Sequence, residues 1–355
     1  MKKLVAIVLV AIMILALVAC SGNTASNTEA KTETKTEAMA ETKTETKTEA
    51  KTETETKKLD WPNPKKTLTV IVPFGAGGDT DLAARIIVDK LATVLGCTIV
   101  VENVPGGSGV IGHTQMLNSE PDGYTLLFNQ LGSHVTQTQL GNTTYKYDDS
   151  SVICGMGSFP QSFVVKADSE WNTFQDMVDW AKAHPGELTY GTQGVGGLGH
   201  TCALDAFTQL GVDAKDVAFG NTAESVTAVL GGHVMLTCCP IAGSAPYINS
   251  GELKLLALSN KFYQYPDAPV VADYGCTDGM YSWIALFGQG SLDPQIVQIL
   301  SDAVEETMKD PGVQEKLKDF GIETNFVPAE EFKKVMQVEY DRNRNALLAA
   351  GIIDK

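Results

Sequence analysis

The stretch VIVPFGAGGDTDLAAR, residues 70–85, decides how the whole chain is read. On its left, Thr67–Pro73 is a β-branched apolar run of strand length. On its right, Asp81–Leu95 reads as a helix, with Leu82, Ile86, Leu91 and Leu95 near helical spacing. Between them, Pro73–Asp81 is built of small residues that let a ligand approach the backbone closely. The first amides of a helix have no intrahelical partner and favour an anion. Asp79 or Thr80 is the expected helix cap. The same glycines also suit a tight strand-to-helix turn without a ligand, and the loop alone does not separate the two readings.

Outward from this segment, strands and helices alternate. Thr98–Glu102 reads as a strand, Ile111–Asn118 as a helix and Tyr124–Phe128 as a strand. A β-α-β-α-β order implies a parallel sheet with helices on both faces. The middle repeats the pattern. Its strands are Ser162–Lys166, Leu188–Tyr190, Val217–Phe219, Val234–Cys238 and Leu253–Leu258; its helices are Thr173–His184, His200–Gly211 and Ala223–Leu230. Ile284–Phe287 then leads into helices Pro294–Lys309, Pro311–Phe320 and Ala329–Ala350. The expectation is two α/β lobes, with both ends of the body in one lobe.

The N-terminus sets the compartment. Lys2 and Lys3 precede an apolar run from Leu4 to Val18, short for a membrane span but of signal-peptide length. The run ends in Leu17-Val18-Ala19-Cys20, which resembles a bacterial lipobox, so residues 1–19 read as a cleaved signal and Cys20 as the lipidation site. Residues 21–60 repeat Lys-Thr-Glu-Thr and offer no apolar face to a fold, so a disordered tether is expected. The leader adds two positive charges, and residues 20–60 carry seven basic against nine acidic groups. The whole formal charge of −16 therefore falls on the body from Trp61 onward. Nucleic-acid binding needs a basic footprint, which this composition lacks.

Two further loops follow strands. Thr192–His200 contains G-x-G-x-x-G at 194–199, but a lone match to the dinucleotide fingerprint is weak, and an exported protein has no steady supply of such a cofactor. An anion loop is the better reading, with His200 either a ligand contact or a residue that holds the loop. Phe219–Ala223 is the third loop. Glycine loops on separate lobes would face each other across a cleft and clamp a carboxylate through N–H groups, without arginine. Catalytic motifs are thin. Gly106-Gly107-Ser108-Gly109-Val110 lacks the last glycine of a nucleophile elbow, and the five histidines show no zinc-ligand spacing. Six cysteines follow Cys20, and vicinal Cys238-Cys239 reads as a redox pair, a metal site or two buried apolar residues.

The motifs together resemble the substrate-binding proteins of tripartite tricarboxylate transporters, the Bug family. They are the 70–85 stretch, Val101–Gly112, Pro121–Leu127, Tyr190–Gly194 with His200, Leu230–Val234 and Ser282–Phe287, in register over 65–351. The resemblance implies a type II periplasmic-binding-protein fold of two hinged lobes, 65–160 with 281–355 and 161–280, after a 20–64 linker. It implies delivery of a small carboxylate to a membrane permease of two other subunits, with no cofactor or metal. The receptor is expected to be extracytoplasmic, monomeric and held to the membrane by its lipid. Carried over, the ligand-binding positions are Phe74, Ala76, Gly77, Gly78, Asp81, Thr192, Gln193, Gly194 and His200, with Ser133, Phe159 and Asn221 added near the cleft. Two other readings are a sensor that presents the ligand to a sensor kinase, and an extracytoplasmic enzyme using Cys238 or Cys239. The third loop departs from the family, reading Phe219-Gly220-Asn221 where a lysine is usual. The end of the ligand that sets specificity is therefore open to a less charged group.

Overall fold

A computed structural model describes residues 59–277 and 279–354. The signal, Cys20 and the Lys/Thr/Glu repeats lie outside the described residues. The deciding stretch folds as β1 (Leu68–Val72), a glycine loop and α1 (Asp79–Leu95). Next come β2 (Ile99–Asn103), α2 (Val110–Leu117), β3 (Thr125–Gln130) and α3 (Leu131–Gln139). A 16-residue strand, β4 (Ser151–Lys166), leads to α4 (Phe174–Ala183), β5 (Leu188–Thr192), α5 (Leu198–Leu210), β6 (Ala214–Ala218) and α6 (Thr222–Leu230). The rest is β7 (Leu236–Pro240), α7 (Ile241–Asn249), β8 (Leu253–Leu258), β9 (Tyr281–Gly288), α8 (Pro294–Met308), α9 (Pro311–Asp319), β10 (Glu323–Pro328) and α10 (Ala329–Ala349).

Two sheets share β4. Its residues 151–160 pair with β9, and β9 joins the parallel trio β3-β1-β2. Its residues 161–166 pair with β8 and β7, and β7 joins the parallel strands β5 and β6. The β1, β2 and β3 strands pair in parallel, as their β-α-β-α-β order implies. Each sheet has a parallel trio, while β4, β8, β9 and β10 form antiparallel pairs.

Both sheets are buried on both faces. Strand side chains alternate, so Val70 and Val72 enter one core and Ile71 the core on the opposite face. In the second sheet Phe163 and Val165 face one core and Val164 the other. The same alternation separates Cys238 from Cys239, which enter different cores. Both thiols are fully buried, and burial pushes Cys239 up to about 12 and Cys238 well above the ordinary thiol range. Neither is a nucleophile, and opposite orientation rules out a vicinal redox pair.

Helix α10 packs against both sheets. Phe332 and Met336 pack under the first sheet, but Ala346 joins the core of the second. The first half of β4 was not legible as strand because Gly155, Gly157 and Pro160 break the pattern. The glycines are required by packing: a Cβ at Gly157 would lie 2.8 Å from the Glu323 carbonyl, and one at Gly155 would collide with the Phe332 ring.

Candidate functional site

Loops at the carboxyl ends of four parallel strands, β1, β2, β5 and β6, converge on one cavity of about 440 Å³. In open α/β sheets, ligands sit in the crevice outside such strand ends. The walls are Pro73 and Phe74 after β1, residues 105–109 after β2, Gln193 and Gly194 after β5, and Phe219 and Gly220 after β6. A larger hollow of about 600 Å³, lined by Tyr263, Pro311, Lys318 and Glu323 among others, lies against α9 and β10, away from these strand ends.

The loop after β1 is held from below by Asp81. Its carboxylate accepts hydrogen bonds from Gly77 N (2.9 Å), Arg85 Nε (3.1 Å) and Asn103 Nδ2 (2.9 Å). Asn103 Nδ2 also reaches the Phe74 carbonyl at 3.1 Å, so one buried carboxylate and one amide set both ends of the loop. Burial alone would raise the Asp81 carboxyl, but Arg85, Gly77 N–H and Asn103 outweigh it and hold the group below its ordinary value. Asp81 is 2 % exposed and braces the loop. Gly77 has φ +79°, a conformation that glycine adopts without steric cost.

The cap of α1 differs from expectation. Gly78 is the N-cap, without a side-chain bond, and Asp79 is the first helical residue. The Asp79 carboxylate lies at the N-terminal end of the helix. It accepts from Gln130 Nε2 at 2.6 Å and from Thr222 Oγ1 at 2.9 Å. Burial raises the pKa of Asp79 despite these donors.

The loop after β5 is held by His200. Gly196 N donates to His200 Nδ1 at 3.3 Å, which places the ring proton on Nε2, 3.9 Å from Asp216 Oδ2. Burial lowers the His200 pKa, and Asp216 opposes that shift. His200 is 4 % exposed, so its observed contacts are those of a loop brace. Gln193 Nε2 donates to the Cys238 carbonyl at 3.2 Å. Thr192 is fully buried, and its Oγ1 has no hydrogen-bond partner.

The loops of the two sheets also touch each other. Ser108 Oγ donates to the Val195 carbonyl at 3.1 Å, and Gln137 Nε2 donates to the same carbonyl at 2.7 Å. Ser108 has φ +51°, and its hydroxyl is spent on this contact rather than activated by a base. Asn221 is the N-cap of α6, accepting from Glu224 N at 2.9 Å, and its Nδ2 lies 3.4 Å from where a Cβ at Gly75 would be.

Of the predicted positions, Phe74, Gln193 and Gly194 line the cavity. Ala76, Gly77 and Gly78 lie on the same loop as Phe74, and Asn221 follows Gly220. Ser133 is buried in α3, donating to the Gln130 carbonyl at 3.1 Å, and Phe159 is 1 % exposed in the first core; neither lines the cavity. Sequence reasoning did not single out Asp79, Gln130, Gln137 or Thr222 as partners. Only Asp79 carried a signal, as an acid in the first turn after a glycine loop. No group of three or more His, Cys, Asp or Glu placed to hold a metal occurs among the described residues.

Comparison with known proteins agrees with this geometry. The family model for the tripartite tricarboxylate transporter family receptor, TctC, matches residues 83–352. The UPF0065 protein in the gbd 5' region of Cupriavidus necator is 31 % identical over 274 residues, 76 % of this chain and 83 % of that protein. Among solved structures, R. palustris Rpa4515 with adipate superposes with a TM-score of 0.77 at 26 % identity, covering 82 % of this chain and 99 % of that one. MatC from Rhodopseudomonas palustris with bound malate gives 0.75 at 25 %, covering 80 % and 100 %. The fold is that of periplasmic binding proteins, and the chain belongs to the tripartite tricarboxylate transporter receptor family, TctC, as an extracytoplasmic solute-binding protein rather than an enzyme.

Proposed function

We propose that this protein is a lipid-anchored receptor that closes on a small carboxylate between two lobes and delivers it to a membrane permease of two other subunits. The observation that carries the reading is the cavity at the carboxyl ends of β1, β2, β5 and β6, walled by glycine loops from both sheets. The lobes are 65–160 with 281–355, and 161–280, with the chain crossing between them in β4 and ahead of β9. Phe74, Gln193 and Gly194 meet the ligand directly. Asp81 and His200 hold the loops whose amides face it, Ala76, Gly77, Gly78 and Asn221 complete the rim, and Thr192 is buried behind Gln193. A ligand that touches both lobes favours the closed state in proportion to its extra contacts there. The relatives with adipate and with malate support a carboxylate as the ligand class.

Cys20 carries the anchor, and the residues after it tether the body near its permease, raising effective concentration without a new contact. A melting screen of the protein against mono-, di- and tricarboxylates tests the binding. A ligand at 100 times its Kd stabilises by about 2.7 kcal/mol, which for a chain of this size raises Tm by roughly 5–10 °C. If no carboxylate moves Tm, the receptor reading falls. Cys20→Ala should shift the protein from the membrane to the soluble fraction; retention of the variant in the membrane would remove the lipid anchor.

A further inference from the structure

Ser108 is the only non-glycine among the described residues with a positive φ, +51°. It lies in the run Gly106-Gly107-Ser108-Gly109, whose glycines have φ of +134°, +58° and +99°. That backbone region is costly to an L side chain and free to glycine. A strained residue persists only where its surroundings hold it, and such residues cluster at functional sites. Ser108 differs from its neighbours by a hydroxyl, and that hydroxyl reaches out of its own sheet to the Val195 carbonyl, in the loop after β5.

Val195 is 48 % exposed, so burial of its side chain does not fix that loop. Hydrogen bonds hold both sides of one planar peptide there. Its carbonyl, that of Val195, accepts from Ser108 Oγ at 3.1 Å and from Gln137 Nε2 at 2.7 Å, two donors that follow strands of the first sheet. Its N–H, that of Gly196, donates to His200 Nδ1 at 3.3 Å within the second. Gln137 is 2 % exposed on α3, and its Oε1 accepts from Asn142 Nδ2 at 3.3 Å, which turns its own nitrogen toward Val195. Gln193 and Gly194, just before Val195, line the cavity. Two side chains of one half thus hold a cavity-lining loop of the other.

We infer that Ser108 and Gln137 are positioning residues for ligand retention: they clasp the Val195 carbonyl across the cleft, and a bound carboxylate leaves only after that clasp opens. This rests on the receptor reading above.

Ser108→Gly removes the hydroxyl and the strained φ together. A serine with a purely structural role would leave a variant at least as stable as wild type with unchanged ligand release. Gln137→Met removes the second donor at a side chain outside the cavity wall. The full chain in detergent is loaded with radiolabelled adipate or malate and chased with the unlabelled acid. Each variant should release the label about threefold faster or more, and the double variant about tenfold or more, the weight of one and of two neutral hydrogen bonds. The Tm of Ser108→Gly without ligand should not fall, and hydrogen exchange of the 193–200 segment without ligand should be faster in both variants. Unchanged release from a folded Ser108→Gly protein overturns the inference. Faster release with unchanged exchange also overturns it, since Ser108 would then be a ligand contact. Should Gln137→Met fail to fold, Ser108→Gly decides alone. If wild type retains neither acid, the acid that raises Tm most in the carboxylate screen replaces them; if that screen is silent, the receptor reading itself fails.

Discussion

Thr222 Oγ1, the first residue of α6 on the second sheet, donates a 2.9 Å hydrogen bond to Asp79 Oδ1, the first residue of α1 on the first. Both residues are buried, at 2 % and 8 % exposure. The contact joins two helix starts that belong to different sheets, so it exists only while the glycine loops are close together. Thr222→Val keeps the shape and removes the donor. A buried carboxylate that loses a donor costs about 1–3 kcal/mol. Urea unfolding should show that loss, and small-angle scattering without ligand should show a larger radius of gyration than wild type. An unchanged radius would mean that this bond does not hold the halves together.

Gly194 tests the same closure from the cavity side. Its φ is +108°, and a Cβ there would collide with Ser108 Oγ, the group that bonds to the Val195 carbonyl. Gly194→Ala should therefore weaken carboxylate binding tenfold or more. Gly211, at φ +67° with open space around it, supplies the control. Gly211→Ala carries a comparable backbone cost of about 1 kcal/mol and should leave binding unchanged. Equal loss of binding in both variants would trace the effect to general destabilisation.

Glu339 predicts a pH dependence. It is 5 % exposed on α10 with Oε2 unpartnered, and burial raises its pKa from 4.5 to about 7, against the pull of Arg342. A carboxyl whose folded pKa is raised adds stability that is complete below about 4.5 and lost as pH rises through about 7. Glu339→Gln removes that titration. Relative to the variant, wild type should lose up to about 3 kcal/mol between pH 4.5 and pH 7.5 in urea unfolding. A constant difference across that range would mean that Glu339 titrates normally.

The histidines of the first sheet act with the opposite sign. His113 and His134 stack at 4.5 Å between ring centroids, both buried, and burial lowers His134 to about 4 and His113 well below its ordinary value. Stability tied to these neutral rings is present above pH 6.5 and lost as pH falls toward 4. His134 Nε2 donates to the Tyr147 carbonyl at 2.9 Å, a bond that Gln can replace. His134→Gln should flatten the acid limb between pH 6.5 and 4 by about 3 kcal/mol. An acid limb as steep as that of wild type would show that His134 is not its source.

What the sequence made legible follows from where its patterns are regular. The β1-loop-α1 segment, the β5-loop-α5 segment and the long C-terminal helices were visible because apolar period and glycine punctuation agree there. The first part of β4 was hidden by Gly155, Gly157 and Pro160, whose reason is the close approach of Phe332 and β10, elements about 170 residues away. Helix α3, Leu131–Gln139, is largely polar in sequence yet almost wholly buried, because Thr136 bonds to Asn343 and Gln139 to the Tyr340 carbonyl of α10. The braces Asp81 and His200 lay within recognised motifs. Asp79 and Thr222 lay within recognised loops too, but their bond was not legible, since a pair 143 residues apart has no local signature.

Thr192 separates a structural from a ligand-binding role at a single hydroxyl. It ends β5, is fully buried, and its Oγ1 has no hydrogen-bond partner, although the neighbouring Gln193 and Gly194 line the cavity. A buried hydroxyl without a partner costs about 1–3 kcal/mol, and replacement by an apolar group of the same shape is neutral or stabilising. Thr192→Val should thus match or exceed wild type in Tm without ligand. If the hydroxyl finds its partner in the bound carboxylate, the same variant loses affinity roughly tenfold, the weight of one hydrogen bond to a charged group. The expected result is this crossing: an apo protein at least as stable, and a smaller ligand-induced rise in Tm. Full retention of the ligand-induced rise would place Thr192 outside the binding site.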